Sequence, residues 1–355
     1  MKGYHAAMPR RADVEGAARA ASGPAFIDLA AAGRMVPSGA ALGVGGSLFT
    51  RIPLALVDAV IGAGARDLTY ICWGGGLPLE LLLQAGAVRK VVFCFSSLDL
   101  FGLAPRFRRA LEQGHLEVDE LNALAMAQAF EAAAQRLPSM PLQVPLGSDI
   151  LERTRIARMT RDPISGSDVV SAAALPLDVL LVHAQRADED GNLELAGSLA
   201  LDPLMIAAAR VVVATVEEVV PRRTLQHARG TTVIPRQLVH AIVEAPFAAY
   251  PTSCLPSYTS DYAALSRALA AETLEVPVAS EARRRTLQRH AGAGIHAAGM
   301  LPRRTSAAHP SAEAATPAET MAWTLAREYT DDSICSAGAV SPLAVTSYLL
   351  AKRTH

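Results

Sequence analysis

The chain has 355 residues, 51% of them hydrophobic and 19% charged, with a formal net charge of −1. That is apolar material for one large domain or two small ones, and the even charge balance argues against a nucleic-acid or polyanion surface. No apolar run approaches the ~20 residues of a membrane span, and the N-terminus lacks the unbroken apolar stretch of a secretory signal, so the expected location is the cytoplasm.

Residues 1–24 are rich in Ala and Arg with weak periodicity, and read as an N-terminal arm. A short helix is expected over residues 26–32. The stretch that follows organises the chain: residues 41–44 end a buried strand, and Gly43, Gly45 and Gly46 make a glycine loop. Pro53 opens a helix, a position where its missing N–H costs nothing. Leu54, Leu56, Val57, Val60 and Ile61 continue at helical spacing until Gly62 and Gly64. Such a loop brings backbone N–H groups close to a phosphate or a developing oxyanion. Leu48 stands where a dinucleotide fingerprint needs its third glycine, and no Gly-Lys-Ser/Thr follows. Gly45-Gly46-Ser47-Leu48-Phe49 also lacks the last glycine of a serine-hydrolase elbow.

Residues 68–73 read as a strand, Gly74-Gly75-Gly76 as a turn, residues 78–84 as a helix stopped by Gly86, and residues 90–96 as the next strand. Strand, glycine turn, helix, strand is the grammar of a parallel α/β sheet, which binds ligands at the carboxyl ends of its strands. Residues 104–112 form a helix carrying Arg106, Arg108 and Arg109, which make either a solvated face or an anchor for phosphate or carboxylate. Residues 122–136 form an Ala-rich helix ended by Leu137-Pro138, and residues 142–145 a short strand. The polar, arginine-bearing residues 147–171 read as a long loop, a lid or an edge covering.

Residues 177–183 are a strand, and Asp190-Gly191 is a hairpin signal. His183, Asp188 and Asp190 form a candidate metal set, although Asp-Gly-Asn is what a turn requires in any case. Asp202 is expected to cap a helix through Ala209, with Pro203 at its first position. Residues 211–216 are a β-branched central strand, with Glu217 and Glu218 at its carboxyl end. A last strand covers residues 239–243, and a helix covers residues 260–275. The four cysteines, Cys72, Cys94, Cys254 and Cys335, have neither metal-ligand nor redox spacing, and no His-Glu-x-x-His occurs.

This gives a main domain over residues 25–282. Residues 283–318 have no apolar period and read as a linker. In the tail, residues 319–355, Gly338-Ala339-Val340-Ser341 leads into Pro342-Leu343-Ala344-Val345, which repeats the order of the opening loop and Pro53-Leu54-Ala55-Leu56. Its Leu343, Val345, Leu349 and Leu350 need a partner surface.

Val44-Gly45-Gly46, the Gly74 loop, Arg106-Phe107-Arg108, Gln135-Arg136-Leu137-Pro138, His183-Ala184 with Asp190-Gly191-Asn192, and Glu244-Ala245-Pro246 form an ordered set. In that order the chain resembles class I CoA-transferases, in particular the A (alpha) subunit of glutaconate CoA-transferase, over residues 32–262. The ring-cleaving thioester hydrolases of steroid breakdown are similar. The resemblance implies an open, mostly parallel sheet flanked by helices, and a hetero-oligomer with a B subunit. That B subunit carries the glutamate that attacks the acyl-CoA carbonyl; no segment of its type occurs here, so no catalytic side chain is expected in this chain. The tail resembles the start of such a B subunit. The resemblance further implies CoA and acyl-CoA as substrates together with a small carboxylic acid, and no permanently bound cofactor; no metal, nucleic acid or membrane is expected.

The same resemblance assigns Gly45 and Gly46 as backbone donors at the oxyanion and acyl site, with Gly74 and Gly75 lining the neighbouring loop. Ser97 and Arg106 hold a substrate carboxylate or face the partner. Where the family has Phe after its two glycines this chain has Ser47, which changes that wall. Two alternatives stand beside this reading. In a ring-cleaving hydrolase Glu120 would act as base, although the residue three further on is Ala123 and not acidic. In a truncated scaffold role the chain would bind without catalysing.

Overall fold

The computed structural model describes residues 23–142, 149–226, 230–271 and 273–292. Two compact units are present. The first runs to Leu98 and from Leu103 to Gly292; of the second, the described residues are Asp99–Gly102, with a 3-10 turn at Asp99–Phe101. The expected N-terminal arm (apart from residues 23 and 24), residues 293–318 and the tail lie outside the described residues.

The first unit opens with β1 (Ala25–Phe26), α1 (Leu29–Gly33), β2 (Ala41–Val44), α2 (Leu54–Gly62), β3 (Leu68–Gly74), α3 (Gly76–Gln84) and β4 (Val88–Phe95). There follow α4 (Pro105–Glu112), β5 (Glu117–Glu120), α5 (Ala123–Ala134), β6 (Ser139–Leu142), α6 (Ile150–Arg153), β7 (Ala157–Arg161) and β8 (Asp168–Ala173). The last part holds β9 (Leu177–Asp188), β10 (Leu193–Leu195), α7 (Asp202–Ala208), β11 (Ala209–Val220), α8 (Arg222–Gln226), β12 (Thr232–Ile234), β13 (Ala241–Glu244), α9 (Tyr262–Ala270) and α10 (Glu281–Gly292).

The main sheet has the order β1-β13-β11-β9-β2-β3-β4-β5, every neighbouring pair parallel. Parallel strands covered on both faces must be apolar on both, which explains the unbroken run Val179-Leu180-Leu181-Val182 and its partner Val211-Val212-Val213-Ala214. Small side chains on α5 let Met126, Ala129 and Phe130 join the same core as Leu180, Val182 and Val212. Asp190-Gly191 turns β9 into β10, antiparallel to it, and β12 pairs with β10. The open, mostly parallel α/β sheet expected from the sequence is the observed one. Among the described residues, no helix is long and apolar enough to cross a membrane.

Several stretches differ from the sequence reading: β5 has no counterpart in it, and the strand expected over residues 142–145 is seen at Ser139–Leu142. Around residues 26–32, Ala25–Phe26 is a strand paired to β13, and α1 starts at Leu29 with Asp28 accepting the Ala31 N–H as its cap. The expected lid over residues 147–171 is a second, antiparallel sheet of order β6-β8-β7; residues 143–148 lie outside the described residues. Ile156, Ala157, Val169, Val170 and Ala172 are buried there, while residues 158–161 of β7 are all exposed, so this strand carries no alternating apolar signal in the sequence. Strands β9 and β11 remain in register to Asp188 and Val220, so Glu217 and Glu218 lie within a strand and not in a loop after it. Residues 283–292, expected as linker, belong to α10. It is tied down by buried Leu287, packed with Phe247, Tyr250 and Tyr258, and by the Arg283 guanidinium on Asp261.

Candidate active site

The carboxyl end of β2 sets the first loop. The Gly45 N–H continues the ladder to the Leu181 carbonyl at 2.8 Å, and the Gly46 N–H donates to Asp202 Oδ1 at 2.8 Å. Both donors expected to serve a ligand are therefore engaged within the chain. The glycines are needed for a different reason. Gly46 has φ +86°, and a Cβ on it would lie 2.6 Å from the Arg51 carbonyl oxygen. Ser47 and Thr50 exchange backbone hydrogen bonds across the turn, and the Arg51 N–H donates to the Ser253 carbonyl at 2.7 Å.

Under the loop lies the Arg51–Asp202 ion pair, 2.8 Å apart and withdrawn from water. Arg51 also donates to the carbonyls of His183 and Ser198. Burial pushes the Asp202 carboxyl upward, while Arg51 and the Gly46 N–H favour its charged form. Asp202 therefore does not cap α7. Leu201 occupies the cap position without a side-chain bond, because the carboxylate is taken by the guanidinium and the loop.

The second loop follows β3. The Gly75 N–H donates to the Phe95 carbonyl at 2.9 Å, and a Cβ on Gly75 would lie 2.3 Å from Ser96 Oγ. The Tyr70 hydroxyl donates to the Gly75 carbonyl at 3.4 Å, and burial raises its pKa, keeping it neutral. Residues 44–48 and 73–76, with Ile52, Tyr70 and Pro78, line one crevice, so Gly45, Gly46, Gly74 and Gly75 are brought together.

Other candidates fall elsewhere. Ser97 lies beside the crevice, its carbonyl 3.7 Å from where a Cβ on Gly76 would stand. Arg106 is turned to Glu80, whose buried carboxylate also accepts the N–H groups of Arg106 and Phe107 at 2.9 and 2.8 Å and so caps α4. Glu120 ends β5, exposed and opposite Phe93. It neighbours Cys94, whose thiol is pushed up to about 12 by burial and then by Glu120.

His183, Asp188 and Asp190 do not converge. Asp188 accepts the N–H groups of Asp190 and Asn192 in the hairpin turn, and Asp190 pairs with Arg222. Instead, ligand atoms of His183, Glu217 and Cys254 lie within 4.8 Å of one another. His183 Nε2 stands 2.8 Å from Glu217 Oε1, and its Nδ1 stands 2.9 Å from Thr215 Oγ1. The Glu217 carboxylate also accepts the Phe247 N–H and the Tyr258 hydroxyl. Burial raises the Cys254 thiol, with Glu217 adding to the effect. The cluster is a buried network that fastens residues 247–258 to the sheet. Sequence reasoning missed it because its members come from two strands and a distant loop.

Known proteins agree with this architecture. The chain is 33% identical over 245 residues to an uncharacterized protein of Archaeoglobus fulgidus, a match that takes in 67% of this chain but only 55% of that protein. It is 34% identical over 234 residues to the cholesterol ring-cleaving hydrolase IpdA subunit of Rhodococcus jostii, covering 63% of this chain and 79% of the relative. It is 26% identical over 245 residues to the A (alpha) chain of the glutaconate CoA-transferase of Acidaminococcus fermentans, covering 64% and 77%. The crystal structure of that transferase superposes with a TM-score of 0.63 at 26% identity, over 68% of this chain and 81% of the other. The family model for coenzyme A transferases matches residues 27–245, and this chain belongs to that family.

Proposed function

We propose that this chain is the A half of a two-subunit CoA-transferase, moving CoA between a carboxylic acid and an acyl-CoA thioester, with the attacking glutamate on a B subunit. One observation carries the reading. Two glycine turns at the carboxyl ends of adjacent parallel strands form a single crevice, and no carboxylate, thiol or imidazole is among its described lining residues. A carboxylate nucleophile suits this exchange, because both half-reactions swap one activated acyl group for another. Here it has to be presented from outside, across the open side of the crevice.

What this chain contributes is shape. Arg51 and Asp202 hold the first loop from below, and the Phe95 carbonyl and Tyr70 hydroxyl hold the second. Glu120, the base of the hydrolase alternative, does not line the crevice, which favours the transferase. The scaffold alternative predicts a complex without activity.

The test is co-expression with the product of an adjoining reading frame that encodes a B subunit, followed by an assay of CoA transfer from a panel of acyl-CoA donors to acetate. Activity is expected in the complex and in neither chain alone. A complex that assembles but transfers nothing contradicts the proposal.

A further inference from the structure

A buried polar atom without a hydrogen-bond partner costs stability, so each one calls for a reason. Among the described residues, six buried side-chain polar atoms lack a hydrogen bond of good geometry. Four belong to Arg51, Asp202, Asp119 and His183, each of which faces an ionisable partner no more than 2.8 Å away. Thr231 Oγ1 stands two residues beyond 227–229, which lie outside the described residues. The sixth is Ser96 Oγ.

Ser96 directly follows β4, at its carboxyl end and against the second glycine turn. Its side chain fills the place to which a Cβ on Gly75 would point, with Oγ 2.3 Å and Cβ 2.8 Å from that point. Gly75 has φ −59° and ψ −70°, a helical conformation that any residue adopts. The backbone therefore does not require glycine at this position; the room taken by Ser96 does. The chain gives up a side chain at 75 and a hydrogen bond at 96, both at one point of the crevice wall, since Gly75 lines the crevice. The free volume there is about 10 Å³, room for one oxygen-sized group and not for a chain.

We infer that Ser96 is a further binding residue of this site, its hydroxyl donating to one oxygen of the bound acyl group. The inference rests on the transferase reading above, which brings an acyl oxygen to these turns. Two other donors of the second turn are already committed, the Tyr70 hydroxyl to the Gly75 carbonyl and the Gly75 N–H to the Phe95 carbonyl. Ser96 still has its hydrogen to give. Rotation about χ1 moves the hydroxyl between staggered positions with no change in the backbone. A donor unsatisfied in the free chain recovers its lost hydrogen bond when the ligand arrives, which strengthens binding.

The experiment compares Ser96→Ala with the wild type, each in complex with the B subunit. Three quantities are measured: the melting temperature, butyryl-CoA binding by calorimetry, and CoA transfer from butyryl-CoA to acetate. Ser96→Ala removes an unpartnered hydroxyl, so its melting temperature is expected to equal or exceed that of the wild type. Binding and kcat/KM are each expected to fall on the order of tenfold. A residue with a purely structural role would not move stability and activity in opposite directions. Should Ser96→Ala fail to fold, Ser96→Cys, which keeps a side chain of similar shape with a weaker donor, makes the same test. Unchanged binding and transfer overturn the inference, as does a loss of activity accompanied by a lower melting temperature. A wild-type complex that binds butyryl-CoA but transfers nothing refutes the transferase reading, and the ratio of the two binding constants then decides the role of Ser96 alone. A wild-type complex that does not bind butyryl-CoA overturns both.

Discussion

Level with the end of β2 the sheet carries two regions of opposite character. The crevice between the glycine turns is lined by backbone and uncharged side chains. The neighbouring network of His183, Thr215, Glu217, Cys254 and Tyr258 is rich in groups that could do chemistry, yet all but the partly exposed Glu217 are buried, and His183 is paired with Thr215 and Glu217, and Tyr258 with Glu217. On the reading proposed above, reactive residue types do not mark the site in this chain: they serve as structural ties, and the recess takes its reactive group from another polypeptide.

The sharpest way to break this contrast is to remove the support under the first loop. Asp202→Ala leaves Arg51 charged and buried without its partner, and is expected to cost about 3–5 kcal/mol in urea unfolding. Loss below about 1 kcal/mol would mean that the loop does not depend on the pair.

Glu217→Ala comes next. It strands the Phe247 N–H, the Tyr258 hydroxyl and one His183 nitrogen, and is expected to cost about 2–3 kcal/mol. If the network is a tie and not a metal centre, excess zinc leaves the melting temperature of the wild type unchanged. A zinc-dependent rise would reassign His183, Glu217 and Cys254 as ligands.

Asp261→Asn probes the tie that holds α10. Burial opposes the charge on Asp261, but the Arg283 guanidinium, the Ala264 N–H and the Tyr250 hydroxyl outweigh it and hold the carboxyl down to about 2. A depressed carboxyl stabilises the fold above its unfolded value of about 3.9 and loses that contribution as pH falls toward about 2. The wild type is thus expected to exceed Asp261→Asn by about 1–2 kcal/mol near neutrality, allowing for the exposure of Arg283, with the gap closing below about pH 4. A gap independent of pH would contradict the assignment.

The smallest effect is expected at Glu120. It is exposed and outside the crevice, so Glu120→Gln should leave transfer by the complex within about twofold. Loss of activity by orders of magnitude would restore the base role and the hydrolase reading with it.

Much of the fold is legible in the sequence because parallel strands covered on both faces leave unbroken apolar runs, punctuated by glycines where the chain turns at their ends. The runs at 68–73 and 177–182, the loops at Gly45 and Gly74 and the Asp190-Gly191 hairpin are all visible that way. The β6-β8-β7 sheet is not, because residues 158–161 of β7 are exposed on both faces and leave no apolar alternation to read. Nor is α10, which depends on one leucine and one ion pair. In the site, the glycines are legible but their use is not. Asp202 reads as a helix cap until Arg51, distant in the chain, is seen to claim it, and the Gly45 and Gly46 N–H groups read as donors until Leu181 and Asp202 are seen to fill them.

The central claim is that this chain supplies a recess and another polypeptide supplies the nucleophile. Intact-mass analysis of both chains, after the assembled complex has been incubated with acyl-CoA, tests it most directly. The predicted result is a covalent acyl or CoA adduct on the partner chain and none on this one. An adduct on this chain, or turnover by this chain alone, would contradict it.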